Sequence, residues 1–226
     1  VPPEVVDTKE SVVEDTIRLV KKYHDRSRFS MCQVGIAPSI AQYETEDIIE
    51  AVVDLAEEYD IMVHGHLAES QHEVEYTLKT WGCRPFEWFK RHRLLGKRFY
   101  FAHCIHLNEE EIAQMAETGT GVAHCPISNM LLSSGACPVP SYLEHGLTRI
   151  GLGVDGAASS NSSNMLEEIR CAYLLNRLTW GDKAATPDDY LYMATAGGAK
   201  VLGRDDIGYL APGMAADFPQ MDWNQL

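Results

Sequence analysis

Four side chains of metal-binding or proton-moving type stand where apolar runs of this sequence end. His66 and Glu69 close the run 61–70, His103 closes Phe101-Ala102-His103-Cys104, and Asp155 closes Ile150-Gly151-Leu152-Gly153-Val154-Asp155. The first run reads as a strand. Residues alternate faces along a strand, so His64 and His66 point the same way, and Glu69 follows where the strand opens into its loop. An imidazole and a carboxylate delivered together suit metal ligation beside proton transfer. Each residue alone has an ordinary reading: a satisfied histidine in a buried strand, or a loop or cap aspartate.

The elements that would carry them alternate. Helical spacing of apolar residues spans 8–23 and 45–59, and helices are also expected over 74–81, 85–91, 109–117 and 139–145. Strands are expected over 31–38, 61–67, 99–104, 121–125 and 148–154, with a Pro/Gly-rich loop after Cys125. Five strands, each followed by a helix, predict a parallel α/β architecture. In a parallel barrel, catalytic groups gather at the C-terminal ends of the strands, and polar residues there on three strands point to one shared site. His124 ends the strand beginning at Gly121 and is a candidate to line the cavity. His106, just past His103, reads as a support for that site.

Composition bounds the partners. The chain has 226 residues, 45% hydrophobic and 23% charged, enough for one large domain or two small ones. A net charge of −14 without a basic patch argues against nucleic acid and anionic membranes. Six cysteines without a CxxC pair suggest a reducing, cytoplasmic setting. No apolar run approaches the roughly 18 residues of a membrane span. The opening Val1-Pro2-Pro3-Glu4 is neither a signal peptide nor an initiator methionine, so the chain is expected to begin mid-protein.

At these residues the sequence resembles the amidohydrolase superfamily, in the branch holding guanine deaminase, 8-oxoguanine deaminase, S-adenosylhomocysteine deaminase and the triazine hydrolases. The matching segments, in the family's order, are His-Leu-Ala-Glu at 66–69, Ala-His-Cys-Ile-His-Leu at 102–107, Gly-Val-Ala-His-Cys-Pro-Ile-Ser-Asn-Met at 121–130 and Gly-Leu-Gly-Val-Asp-Gly-Ala-Ala-Ser at 151–159. Within the branch, Trp81-Gly82-Cys83-Arg84-Pro85, Gly119-Thr120-Gly121 and the segment 210–217 look most like 8-oxoguanine deaminases.

The resemblance implies a partial (β/α)8 TIM-type barrel over residues 1–206, strands four to eight, with 207–226 as a return segment towards a small β-sandwich. The first three strands, most of that sandwich and the His-x-His metal ligands of the first strand would be absent; His64-Gly65-His66 belongs to strand five. His66 and Asp155 are the implied ligands of one divalent ion, zinc by preference and iron as second candidate. Glu69, His103 and Asp155 are the implied catalytic groups: hydroxide formed at the metal attacks an amidine carbon, Glu69 shuttles the proton, His103 steadies the tetrahedral intermediate, and ammonia leaves. His124 and Asn129 are the implied substrate contacts. The expected substrate is a small purine such as 8-oxoguanine or guanine. The loop 37–44 departs from the 8-oxoguanine deaminase pattern and keeps triazine, pterin or S-adenosylhomocysteine chemistry open, as the missing ligands keep open an inactive fragment. Zinc cytidine-type deaminases are excluded, since His-x-Glu followed by Pro-Cys-x-x-Cys does not occur. A barrel short of three strands exposes an open side, which predicts a homo-oligomer.

Overall fold

A computed structural model of the protein describes residues 6–219. The expectations for residues 1–4 and for the tail beyond 219 lie outside the described residues. Helix α1 (Lys9–Tyr23) starts where the Thr8 hydroxyl accepts the Ser11 N–H. Helix α2 (Glu46–Tyr59) buries Ile49, Val52, Val53, Leu55 and Ala56 along one face. Then come strand β1 (Val63–Leu67), helices α3 (Gln71–Trp81) and α4 (Pro85–Arg91), strand β2 (Phe99–His103), and helix α5 (Glu109–Thr118). They are followed by strand β3 (Gly121–His124), helices α6 (Pro126–Leu131) and α7 (Val139–Glu144), and strand β4 (Ile150–Leu152). Helices α8 (Met165–Trp180), α9 (Pro187–Tyr192) and α10 (Gly198–Val201) follow.

Local chemistry sets these boundaries. Ser70 caps α3 by accepting the Glu73 N–H, and Gly82 ends it in the left-handed conformation. Asn108 and Glu111 form a reciprocal capping box on α5, as Thr186 and Asp189 do on α9.

The four strands form one parallel sheet in the order β1-β2-β3-β4. In its register Leu67 faces His103, Ala102 faces Ala123, and His124 faces Leu152. Val63 and Leu67 alternate with the half-buried His64 and His66 along β1. Val63, Leu67, Phe101, Val122 and Ile150 are sealed from water and join one core with Ile49, Val53, Phe86, Ile112 and Met115. Each such side chain contributes roughly 1.5–3 kcal/mol by leaving water.

Two differences from the sequence reading have clear causes. The expected first strand, 31–38, survives only as two isolated parallel bridges, Ile36 with Val63 and Ile40 with His66. Pro38 lies between them and has no N–H to continue a ladder. The loop expected after Cys125 begins instead with α6, because Pro126 occupies the first helical turn, where a missing N–H costs nothing. Residues 207–219 make turns without a strand, folding back through Ala215 N–H to the Asp206 carbonyl.

Beyond β4, a single π-turn, Met193–Gly197, lies tight against the sheet. A Cβ on Gly197 would stand 2.3 Å from the Ile150 carbonyl oxygen. Only glycine permits this approach.

Candidate metal and proton-transfer site

The C-terminal ends of β1, β2 and β4 bring His66, Glu69, His103 and Asp155 together. The His66 and His103 rings stack with centroids 5.4 Å apart. His103 Nε2 lies 3.7 Å from Glu69 Oε2 and 3.9 Å from Asp155 Oδ2. One imidazole nitrogen thus faces two carboxylates across a shared gap.

Hydrogen bonds aim both rings. His66 Nδ1 is 2.8 Å from the Ser39 carbonyl, which can only accept, so Nδ1 carries the proton and Nε2 keeps its lone pair. His103 Nδ1 meets Asn129 Oδ1 at 2.8 Å, with the same consequence.

The backbone at these strand ends is held in an uncommon conformation. Ala68, His103, Cys104 and Asp155 have φ of 49°, 67°, 48° and 63°. Non-glycine residues hold such angles at a cost of order 1–3 kcal/mol each, when the surroundings over-determine them. Here the Cys104 N–H is bonded to the Leu67 carbonyl at 3.1 Å, and the Ile105 and His106 N–H groups converge on the Ala68 carbonyl.

Asp155 is ionised in place. Burial pushes its carboxyl up, but hydrogen bonds outweigh burial and hold it below the usual carboxylate range. They come from the Ser128 hydroxyl, from the Gly156 N–H at 2.6 Å and from the Ser159 hydroxyl at 3.2 Å, with the facing His103 ring acting in the same direction. Glu69 accepts from the Ser134 hydroxyl at 3.3 Å.

The loop of Glu69 is fixed from behind by Glu73, a residue the sequence reading missed. Its carboxylate accepts the Ala68 N–H at 3.1 Å and the Glu69 N–H at 2.9 Å, and it is sealed from solvent. Burial pushes its carboxyl up to about 7, against those two hydrogen bonds. The signal was present: Ser70-Gln71-His72-Glu73 has capping-box spacing. Glu168 of α8 acts similarly, accepting the Ile127 N–H at 3.1 Å and the Ser160 hydroxyl at 3.1 Å.

The remaining histidines are sorted by burial. His124 is 2% exposed, its Nδ1 has no hydrogen-bond partner, and burial drives it down to about 3, so it is a neutral wall of the site. His106 Nε2 lies 2.8 Å from the carbonyl of Ser134, the residue whose hydroxyl reaches Glu69. His64 stacks on Tyr100 at 4.5 Å and is kept neutral by burial and by His66. Asn129 is fully buried with its oxygen committed to His103.

Among the described residues, one trio of His, Cys, Asp or Glu has donor atoms mutually within 4.8 Å: His103, Cys125 and Asp155. Cys125 was not singled out by sequence, and His66 stands outside the trio. Nitrogen, sulfur and oxygen donors beside an oriented His66 fit a divalent ion of zinc type. Burial pushes the Cys125 thiol up to about 12.

A groove of about 580 Å³ lies elsewhere, past the N-terminal strand ends, lined by Val34, Met62, Arg98, Tyr100 and Arg204 among others. Three of its guanidinium groups are paired with carboxylates, Arg26 and Arg98 with Asp60 and Arg204 with Asp206 at 2.6 Å, and the fourth, Arg28, donates to the Gly213 carbonyl at 2.6 Å. Charge chemistry therefore concentrates at the other rim, where parallel barrels carry their sites.

The amidohydrolase family model matches residues 1–222. The chain belongs to the amidohydrolase family. It is 41% identical over 225 residues to 8-oxoguanine deaminase of Pseudomonas aeruginosa, covering 100% of this chain and 50% of that protein. A triazine hydrolase structure superposes with a TM-score of 0.92 at 30% identity, over 96% of this chain and 48% of that one. An adenosine deaminase of Xanthomonas campestris solved with bound zinc gives 0.89 at 31%, over 94% and 48%. The chain spans about half the length of the curated relatives it matches. The four-stranded parallel sheet agrees with a partial barrel of this family, whose named relatives are deaminases and hydrolases. Among the described residues no helix is long and apolar enough to cross a membrane.

Proposed function

We propose that this protein is a metal-dependent hydrolytic deaminase of a purine base such as 8-oxoguanine or guanine, built on strands four to eight of an amidohydrolase barrel. The observation that carries the reading is the meeting of Glu69, His103 and Asp155 around one gap, with His103 Nε2 within 4 Å of both carboxylates. His66 Nε2 and the Asp155 carboxylate would hold one divalent ion, zinc for this donor set, together with ligands outside this chain. When bound, the ion supplies the Lewis acidity that makes water a nucleophile near neutral pH.

The chain's own residues do the rest. Asp155, held ionised by Ser128, Gly156 and Ser159, accepts a proton from the attacking water. Glu69 carries a proton to the ring nitrogen of the amidine and then to the departing amine. His103, with Nδ1 tied to Asn129, takes a proton at Nε2 and donates it as a hydrogen bond to the oxygen of the tetrahedral centre, stabilising charge there. Cyclic amidine and water become a cyclic amide and ammonia. His124 and Asn129 serve as the buried wall behind the substrate, Asn129 acting through His103.

The identity to an 8-oxoguanine deaminase supports the purine assignment. A triazine substrate is the second reading, favoured by the fold match to triazine hydrolase and by the loop 37–44. Cytoplasmic location and homo-oligomerisation belong to the same proposal. The test is ammonia release from 8-oxoguanine, guanine, S-adenosylhomocysteine and a hydroxytriazine by the protein that carries this chain. Turnover of a purine base above the others supports the reading, and turnover of the triazine alone replaces it with the second.

A further inference from the structure

We propose that Glu168 is a positioning residue for the reaction: its carboxylate clasps the two segments that carry Asn129 and Asp155, and so sets how His103 and Asp155 face each other. The catalytic part of this proposal rests on the deaminase reading. It goes beyond that reading by giving a role to a residue that stands outside the gap.

The argument starts from where the two oxygens point. Glu168 is sealed from solvent on α8. Its Oε2 accepts the Ile127 N–H at 3.1 Å, and its Oε1 accepts the Ser160 hydroxyl at 3.1 Å. The first donor lies in the opening turn of α6, the second in the loop that follows β4. Both segments run straight into the site. On α6, the Ser128 hydroxyl donates to Asp155, and Asn129 Oδ1 meets His103 Nδ1 at 2.8 Å. In the loop stands Asp155 itself, with the Ser159 hydroxyl 3.2 Å from its Oδ2. The N–H groups of Ser159 and Ser160 both close on the Gly156 carbonyl at 3.0 Å, so a tight turn with little slack joins Asp155 to the clasp.

Glu168 differs here from Glu73 and Glu111. Each of those grips N–H groups of a single loop and stiffens one segment. Glu168 joins two segments far apart in sequence. Burial pushes its carboxyl up, against the pull of the two donors. Either donor left without its acceptor would be a buried polar group unpaired, so the two segments cannot slide past each other without loss. The 3.9 Å between His103 Nε2 and Asp155 Oδ2 is the spacing that this clasp holds. Displacements of about 1 Å in such constellations are costly in rate.

The experiment compares Glu168→Ala, Glu168→Gln and Ser160→Ala in the protein that carries this chain. Glutamine can keep both contacts, because its carbonyl accepts the Ile127 N–H and its amide donates to the Ser160 hydroxyl. The first readout, nitrogen NMR of the His103 ring at fixed pH, needs no turnover. Glu168→Ala is expected to shift or split the His103 signals and to leave those of His24, in the groove at the other rim, in place. Glu168→Gln should restore the parent pattern. The second readout is ammonia release at saturating zinc: Glu168→Ala should lose about 10- to 100-fold in kcat with KM changed less than about twofold, and Glu168→Gln should recover it. Ser160→Ala opens one arm of the clasp without altering α8, and should move the His103 signals in the same direction by less. It decides the matter should Glu168→Ala not fold. Unmoved His103 signals in the folded variant, a parental kcat in Glu168→Ala, or a Glu168→Gln as impaired as Glu168→Ala would each overturn the proposal. Should the unmutated protein release no ammonia from any of the bases, the deaminase reading falls, while the NMR comparison still decides the clasp.

Discussion

Asn129 Oδ1 and His103 Nδ1 lie 2.8 Å apart, with both residues sealed from solvent. This one contact decides which nitrogen of His103 faces the two carboxylates. Asn129→Leu leaves the His103 N–H buried without an acceptor, a loss of about 1–3 kcal/mol. Urea unfolding should register it, and the nitrogen NMR shifts of His103 should show a mixture of tautomers. An unchanged tautomer would remove Asn129 from the site.

Glu69 and His66 should separate by readout. Glu69→Gln is expected to keep its metal and lose about 10²- to 10⁴-fold in ammonia release, the usual contribution of a positioned acid–base group. His66→Ala should lose metal and turnover together. Metal analysis beside the ammonia assay, on the protein carrying this chain, checks both. Metal loss in Glu69→Gln would reassign that residue as a ligand.

Glu73 gives stability a pH dependence whose sign can be worked out. Its folded carboxyl is raised to about 7 from an ordinary 4.5, so the folded state holds its proton more tightly than the unfolded one. The contribution is complete below pH 4.5 and fades as pH rises through 7, by about 3 kcal/mol at most. Glu73→Gln, which copies the protonated form, should flatten denaturation midpoints across this window. An unchanged slope would show that Glu73 does not titrate there.

Gly197→Ala tests the packing of β4. The new methyl would meet the Ile150 carbonyl oxygen at 2.3 Å and the Tyr192 carbonyl at 3.0 Å, both backbone atoms with little room to yield. Overpacking of this kind costs about 3 kcal/mol, a drop of about 6–12 °C in Tm for a chain of this size. A melting curve overlaying the parent's would contradict the close approach.

Much of the fold was legible because periodicity and caps agree. The helices at 46–59, 85–91 and 109–118 and the strands carrying His66 and His103 follow directly from apolar spacing, and the strand-end histidines and Asp155 stood out by type and place. What stayed hidden depends on contacts distant in sequence. Glu168 looks like any acidic residue early in a helix until Ile127 and Ser160 fold against it. Cys125, one of six cysteines scattered without a motif, has nothing to mark it in the sequence until β2 and β4 bring His103 and Asp155 beside it. Pro126 reads as a breaker when helix geometry makes it a starter. The interrupted strand at 36–40 lost its ladder to Pro38, a local signal outweighed in the reading by the apolar residues around it.

Glu73 and Glu111 each sit on a helix following a strand and grip backbone N–H groups of the loop leading into it, Ala68 and Glu69 for the first and Asn108 for the second, while Glu168 of α8 accepts the Ser160 hydroxyl of its own leading loop and reaches across to the Ile127 N–H of α6. These loops are anchored on their rear side by carboxylates that no substrate reaches. Rigidity and recognition are thereby divided between different residues. On the proposed function, a change of side chain at the front edge would alter what the gap accepts while these rear contacts keep the loops in place.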